Sequence, residues 1–148
     1  MKITIVAIGK LKEKFLVEGV AEYLKRLRLF SKIEIREIPE CRTIDEEGKK
    51  ILEQMPKDSF VFVLDVAGTA ITSENFAKKI SDLNLRGVSN ITFVIGGAFG
   101  LSEEVKKIAD FKMSLSEMTF THQMARLILL EQIYRAFKIN RGEPYHKI

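Results

Sequence analysis

Cysteine is nearly absent from this chain: Cys41 is the only one among 148 residues. A single thiol excludes an internal disulfide and a metal cluster built on cysteine. The two histidines, His122 and His146, lie far apart in the sequence and make a poor ligand set, so we expect no metal ion. Long apolar runs are also absent, and the amino-terminal segment lacks the apolar stretch of a signal peptide. We therefore expect a cytoplasmic protein with no membrane span.

Positive charge is modest overall and is concentrated near the carboxyl terminus. The formal net charge is +4. Much of it lies in residues 121–148, which hold two acids against five cations: Arg126, Arg135, Lys138, Arg141 and Lys147. Such a concentration indicates either a surface that binds phosphate groups or a solvated helix face followed by a frayed end. Charge alone leaves both interpretations open.

Apolar segments alternate with amphipathic ones along the whole chain. Strands are predicted at 2–8, 33–38, 60–64, 91–95 and 111–115, and helices at 12–29, 43–54, 72–85, 102–109 and 121–139. This alternation predicts one α/β domain, residues 1–148, with a parallel sheet flanked by helices on both faces. Open sheets of this kind bind ligands beyond the carboxyl ends of their strands. Three segments follow such ends: 64–68, 96–100 and 115–120.

The stretch FVIGGAFGLSEE (93–104) places three glycines between an apolar strand and a helix. It has the outline of a nucleotide-binding turn but fits neither standard phosphate motif. The dinucleotide fingerprint needs a glycine where Ile95 stands, and a P-loop needs a lysine directly after Gly100. Glu103 and Glu104 also occupy the helix start at which a phosphate would bind. The turn therefore favours a neutral or cationic nucleoside, unless it is a tight turn without a ligand.

The last predicted helix carries apolar residues on more than one face. They include Leu127, Ile128, Leu129, Leu130, Ile133 and Phe137. A helix that covers one side of a sheet needs only one apolar stripe. A second buried face is expected, either in the core or against another chain, and we interpret it as a dimer contact.

Four stretches together resemble one family. They are MKITIVAIGKLKEKF at the start, VLDVAGTAITSE (63–74), VIGGAFGL (94–101) and SLSEMTFTHQMARLILLEQIYRAFKINRGEPYHKI (114–148). The chain resembles the RlmH family, SPOUT-class methyltransferases that methylate N3 of a pseudouridine in 23S ribosomal RNA. The resemblance implies S-adenosylmethionine as the methyl donor and a carboxyl-terminal trefoil knot. It also implies a homodimer that acts on ribosomal RNA in assembled ribosomes.

The resemblance further implies which residues contact the donor. They lie in the same three segments: Leu64, Gly96, Gly97, Gly100, Leu115, Ser116, Glu117, Met118, Thr119 and Phe120. Glycine lets the backbone approach a ligand closely, and Leu64, Met118 and Phe120 offer apolar walls for an adenine ring. Asp65 and Glu117 belong to these loops either as functional groups or as ordinary hydrogen-bonded caps.

For catalysis the resemblance points to His122, Arg135, Tyr145 and His146, and for RNA binding to Arg126, Arg135 and Arg141. Histidine is the side-chain type that exchanges a proton near neutral pH, as removal of the N3 proton requires. Two simpler interpretations stay open. Arg135 pairs with Glu131 one helical turn earlier, or Tyr145 merely packs.

One position departs from the family pattern. Thr121 stands where the family usually has a proline just before the histidine. Threonine can cap the following helix, so the helix start is retained. Two rival functions remain compatible with the sequence: a non-catalytic nucleotide-sensing α/β module, and a methyltransferase with another target such as transfer RNA.

Overall fold

A computed structural model describes the backbone of residues 1–146 and the side chains of residues 1–145. Five strands and five helices alternate along it, followed by one short 3-10 turn. The strands are β1 (Lys2–Ile8), β2 (Lys32–Ile38), β3 (Phe60–Ala70), β4 (Asn90–Ile95) and β5 (Phe111–Ser114). The helices are α1 (Lys14–Leu27), α2 (Ile44–Gln54), α3 (Ser73–Leu85), α4 (Glu103–Lys107) and α5 (His122–Asn140), and the turn is Pro144–His146.

The strands form one parallel sheet in the order β2-β1-β4-β3-β5. The predicted parallel α/β domain is therefore confirmed. The inner strands β1 and β4 are apolar on both faces because helices cover the sheet on both sides. All five strands point the same way, so the segments that follow β3, β4 and β5 meet at one edge of the sheet.

Helices α1, α3 and α5 pack against one face of the sheet, and α2 and α4 against the other. The first layer holds the larger core, with Phe62, Phe76 and Phe93 in mutual ring contact. Helix α5 lies between α1 and α3 and contacts both. These contacts bury Leu129, Leu130, Ile133 and Ala136, whereas Met124 and Ile128 stay partly exposed, and the dimer contact stays a prediction.

Side-chain caps begin four of the helices. The hydroxyls of Thr43, Thr72, Ser102 and Thr121 accept a hydrogen bond from the backbone three residues later. Each such cap contributes about 1 kcal/mol to helix stability. The prediction that Thr121 caps the last helix is confirmed, since its Oγ1 lies 3.2 Å from the nitrogen of Met124.

Two boundaries differ from the predicted ones in ways that shape the site. Helix α1 begins at Lys14 rather than at residue 12, and the backbone N–H of Lys12 donates to Gln123 Oε1 on α5 instead. Strand β3 continues past Leu64 to Ala70, with an irregular register between Leu64 and Thr69 against β5. Within residues 1–146, none of the helices has the length and apolar character needed to cross a membrane.

Candidate functional site

A cleft of about 640 Å³ opens at the irregular part of β3, around Leu64, and beyond the carboxyl ends of β4 and β5. This volume is typical of a small-molecule site. Its lining includes most of the predicted donor contacts: Leu64, Gly96, Gly97, Gly100, Leu115, Ser116, Met118, Thr119 and Phe120. Glu117 is the exception among the predicted contacts: it is exposed, and it does not line the cleft. The three predicted segments thus converge, as expected from a parallel sheet, although residues 64–68 lie within β3 and not after it.

The glycine turn after β4 forms one wall of the cleft. The backbone N–H of Gly100 donates to the carbonyl of Gly97 over 3.1 Å and closes the turn. A Cβ on Gly96 would lie 2.8 Å from Leu101 Cγ and 2.9 Å from the Gly100 carbonyl oxygen. Gly100 itself has a φ of +87°, a conformation that favours glycine. The turn is this tight only because glycine stands at both positions, and its backbone faces the cleft.

One acid and one base line the cleft behind this turn. Lys106 Nζ lies 3.9 Å from Asp65 Oδ2 and 3.8 Å from Glu103 Oε1. Asp65 Oδ1 accepts a hydrogen bond from the nitrogen of Ala67 at 3.0 Å, as the interpretation of Asp65 as a hydrogen-bonded cap expects, and Asp65 also lines the cleft. Because Asp65 and Lys106 offset each other, the cleft offers no concentrated positive charge for a polyphosphate.

Several lining residues were missed from the sequence. They are Val66, Ile95, Ala98, Leu101, Lys106, Met113, Thr121 and Ala125. Val66 and Ala98 lie inside the predicted loops, so their adjacency to predicted contacts was the available signal. Lys106 had no such signal, since only the packing of α4 brings it to the cleft. The described residues contain no group of three or more metal-ligating side chains, and the expectation of no metal stays a prediction.

The amino-terminal end of α5 forms part of the cleft wall through Thr121, His122 and Ala125. The side chain of His122 is 18% exposed. Its Nε2 is buried, lies 3.8 Å from Glu40 Oε1, and forms no hydrogen bond within the described structure. His122 is thus placed where a ligand in the cleft could engage it.

Arg126, one turn further along α5, corrects a prediction. Its residue is only 1% exposed. Nη1 donates to Glu37 Oε2 at 2.6 Å, and Nη2 donates to the Gly9 carbonyl oxygen at 3.0 Å. The prediction that Arg126 contacts RNA phosphate is wrong for this structure, because the guanidinium is buried and joins α5 to the ends of β1 and β2.

The carboxyl-terminal end of α5 carries a second polar cluster. Arg135 donates to Glu131 Oε1 through Nε at 3.1 Å and Nη2 at 2.8 Å, and this bond raises the pKa of Arg135. The Tyr145 hydroxyl donates to the same carboxylate oxygen at 3.2 Å and lies 3.1 Å from the Tyr23 hydroxyl. Burial, followed by the bond to Tyr23, raises the pKa of Tyr145. The simpler interpretations of Arg135 and Tyr145, an ion pair and a packed ring, both describe this geometry.

Two further predicted residues lie beyond this cluster. Arg141 is exposed, with Nε 3.1 Å from Glu143 Oε1 and its guanidinium 5.0 Å from the Phe30 ring centre. The backbone of His146 ends the last 3-10 turn, but its side chain lies outside the described residues. Of the four predicted catalytic residues, only His122 lines the cleft of its own chain, as far as the described side chains extend.

Comparison with known proteins agrees with this architecture. A family model described as "Predicted SPOUT methyltransferase" matches residues 1–146. The chain belongs to the SPOUT methyltransferase family. Among SPOUT methyltransferases with curated names, the "Ribosomal RNA large subunit methyltransferase H" of Carboxydothermus hydrogenoformans is 52% identical over 159 aligned residues. The proteins with that name from Halothermothrix orenii and Clostridioides difficile are each 50% identical. All three alignments cover 99% of this chain and 100% of the relative.

Solved structures support the SPOUT fold at low sequence identity. A "probable methylase family protein" from Haemophilus influenzae matches with a TM-score of 0.59 and 14% identity, over 99% of this chain and 70% of that one. The tRNA (m1G37) methyltransferase of Aquifex aeolicus matches with a TM-score of 0.55 and 17% identity, over 91% of this chain and 70% of that one. At these identities the likeness concerns the fold alone.

Proposed function

We propose that this SPOUT methyltransferase uses S-adenosylmethionine to methylate N3 of a pseudouridine in the 23S RNA of assembled ribosomes. The observation that carries the proposal is the cleft, which is lined by residues 64–66 of β3, by the loops after β4 and β5, and by His122. The names and full-length similarity of the ribosomal RNA methyltransferases above support the choice of substrate. A cytoplasmic location goes with that substrate.

The donor fits the chemistry of the cleft. Leu64, Leu115 and Met118 offer apolar surface, and the glycine turn presents backbone atoms where an added Cβ would clash. The cleft has no phosphate cradle among the described residues, which suits a nucleoside bearing a sulfonium cation. When bound, the donor supplies an electrophilic methyl group, and the main contribution of the protein is to align the acceptor nitrogen.

The role of His122 follows from its position. N3 of a pseudouridine carries a proton that must leave, and an acceptor of this proton must lie within hydrogen-bond reach. His122 lines the cleft, and its Nε2 has no hydrogen-bond partner among the described residues and lies beside Gly9 and Glu40. We therefore assign His122 to the acceptor side of the cleft.

Arg135, Tyr145 and His146 are proposed to contact the RNA, together with Arg141. Arg135 lies 13 residues after His122, about 20 Å along α5. That distance is too long for both residues to act on one base within a single chain. We therefore propose a homodimer in which the tail of one chain lies near the cleft of the other. Exposed apolar side chains at the cleft, such as Met118 (76%) and the neighbouring Phe99 (84%), support such an interface. The trefoil knot is proposed to include the loop 115–120.

Two experiments test the function. Titration calorimetry with S-adenosylmethionine should give one site per chain, and absence of binding would refute the donor assignment. Methyl transfer to 70S ribosomes, 50S subunits, naked 23S RNA and transfer RNA should then be compared, with RNA from cells lacking the modification. Nucleoside mass analysis should find N3-methylpseudouridine from ribosomes, whereas a methylated transfer RNA alone would support the rival target.

A further inference from the structure

The loop between β1 and α1, residues 10–13, lies at the same edge of the sheet as the cleft. We call it the basic loop, because Lys10 and Lys12 project from it and both are exposed. We infer that the basic loop binds the phosphate backbone of the RNA beside the nucleotide that enters the cleft. This inference rests on the proposed function, and it names a contact of the RNA with this chain that neither the sequence motifs nor the relatives' names indicate.

The structure holds the basic loop against the amino-terminal end of α5. Before the loop, the carbonyl of Gly9 accepts a hydrogen bond from the buried Arg126 Nη2 at 3.0 Å. Within the loop, the backbone N–H of Lys12 donates to Gln123 Oε1 at 3.0 Å. His122 Nε2 lies 3.5 Å from the position of a Cβ on Gly9. Two bonds from α5 therefore fix the loop next to a residue that lines the cleft.

The charges of the basic loop are available for a phosphate. Neither Lys10 nor Lys12 forms an ion pair with any described residue, whereas Lys14 lies 3.8 Å from Glu18. Glu13 leaves the loop with a net charge of +1. Exposed, unpaired ammonium groups lose little by exchanging water for phosphate, and they release counterions from the RNA when they do so.

The other predicted RNA contacts differ from these lysines, because each has an acidic partner within the chain and only Arg126, which is buried, lies near His122. Arg126 is buried with Glu37, Arg135 is bonded to Glu131, and Arg141 lies beside Glu143. Near His122, the unpaired lysines of the basic loop are therefore the better phosphate contacts.

Glu40 separates the position of the phosphate from that of the base. Its carboxylate lies 3.8 Å from His122 Nε2 and repels a phosphate there. A neutral base is not repelled in this way. The backbone of the RNA is thus expected over Lys10 and Lys12, with the acceptor base turned toward His122.

The test compares two pairs of exposed lysines. The double variant Lys10→Gln/Lys12→Gln removes both charges and keeps the backbone bond to Gln123. The matched control is Lys49→Gln/Lys50→Gln on α2, on the other face of the sheet, where both residues are exposed and form no ion pair with described residues. Binding to poly(U) is measured against KCl concentration, the KM for 70S ribosomes by methyl transfer, and the Kd for S-adenosylmethionine by calorimetry.

For the basic-loop variant we expect the salt slope of poly(U) binding to fall by about 1.4, since each phosphate that a lysine neutralises on a single strand adds about 0.7 to the slope. The KM for ribosomes should rise by about tenfold, about threefold for each lysine replaced. The donor Kd should not change, and the control pair should resemble the wild type. An unchanged slope, an unchanged KM, or an equal effect in the control pair would overturn the inference.

The failure of the inference can be distinguished from failure of the proposed function. If the wild type methylates ribosomes and the basic-loop variant does so with the same KM, the function stands and the inference is wrong. If the wild type methylates no ribosomal particle, the proposed function is wrong. The poly(U) slopes then decide alone whether the loop binds phosphate, and equal slopes in wild type and variant reject it.

Discussion

The two ends of α5 each carry an arginine paired with a glutamate, but the two pairs differ in what they connect. At the amino-terminal end, Arg126 reaches Glu37, which lies 89 residues earlier in the chain, and its side chain is 2% exposed. At the carboxyl-terminal end, Arg135 pairs with Glu131 on the same helix, and its side chain is 17% exposed. The first pair joins separate elements, and the second lies within one element.

This difference separates a structural use of arginine from one that a substrate can redirect. Removing the buried guanidinium of Arg126 leaves the Gly9 carbonyl without its donor and Glu37, whose side chain is 37% exposed, without its counter-charge, which costs about 2 kcal/mol. A pair within one turn of a helix contributes a few tenths of a kcal/mol, so its arginine can turn to another anion at little cost. Arg126, at the end near the cleft, therefore maintains the fold, whereas Arg135, at the carboxyl-terminal end, can exchange its partner for a substrate anion.

The largest difference between the two ends of α5 should appear when Arg126→Met and Arg135→Met are compared for their free energies of unfolding. Arg126→Met removes the bonds to Glu37 and to the buried Gly9 carbonyl, and it should lower the free energy of unfolding by about 2 kcal/mol. Arg135→Met should lower it by less than about 1 kcal/mol. Urea unfolding followed by circular dichroism measures both. Equal losses would show that the two ends of α5 do not differ in this way.

The two ends of α5 should also differ in donor binding, which we expect to depend on residues at the cleft and not on those at the carboxyl-terminal end of the helix. In Gly96→Ala the new Cβ would meet the Gly100 carbonyl oxygen at 2.9 Å, so the turn must open. The Kd for S-adenosylmethionine should rise about 30-fold, equivalent to about 2 kcal/mol. Titration calorimetry measures this change.

Gly100→Ala is the matched control for that variant. No atom lies within 4 Å of its added Cβ, and only the φ of +87° opposes it. Its cost is about 1 kcal/mol of strain, with a smaller effect on the Kd. If Gly96→Ala has normal stability and its Kd for S-adenosylmethionine is unchanged, the glycine turn does not belong to the donor site.

A substitution at the carboxyl-terminal end of α5 should affect methyl transfer and not donor binding. Arg135→Gln should leave the donor Kd unchanged and lower methyl transfer to ribosomes by about tenfold, as expected when one charge-assisted hydrogen bond is removed. Arg86→Gln, at the exposed end of α3, serves as a control with the same change of charge. If both arginine variants lower transfer equally, general charge rather than the position of Arg135 accounts for the loss.

The sequence predicted the cleft end better than the details of α5. Apolar periodicity is a local property, so the strands, the helices and the three converging segments could be predicted from short windows. The partners of Arg126 lie 89 and 117 residues away, and no local pattern marks them. For the same reason, charge counting alone could not separate the buried Arg126 from the exposed Arg141.

Other errors also arose from contacts distant in sequence. Helix α1 starts later than its periodicity suggests: the backbone of Glu13 is still extended (φ −74°, ψ 131°), and the N–H of Lys12 bonds to Gln123 on α5. Strand β3 extends through Asp65 and Gly68, which are loop-like residues, because β5 pairs again with Thr69 and Ala70. The trefoil knot and the homodimer stay predictions.

The smallest expected effect concerns Tyr145, whose hydroxyl holds the segment after α5 against Glu131 and Tyr23. Burial and the bond to Tyr23 raise the pKa of Tyr145 above its ordinary value near 10, so the folded state favours the neutral phenol. The stabilisation from Tyr145 should therefore be fully present below about pH 10 and should decline as the pH rises further. Tyr145→Phe should lower the free energy of unfolding at pH 8 by about 1 kcal/mol, a difference that narrows above pH 10.

Absorbance at 295 nm and urea unfolding from pH 8 to 11 measure this effect. Tyr134→Phe is the matched control, because no hydrogen bond of its hydroxyl occurs among the described residues, and it should change stability little. In Tyr145→Phe, the tyrosinate signal that develops up to pH 10 should equal that of the wild type. A wild-type step near pH 10 that vanishes in Tyr145→Phe would show that the tail is not held by a buried, protonated Tyr145. The tail end of α5 would then lack its own anchor, and only the cleft end would be fixed by buried polar bonds.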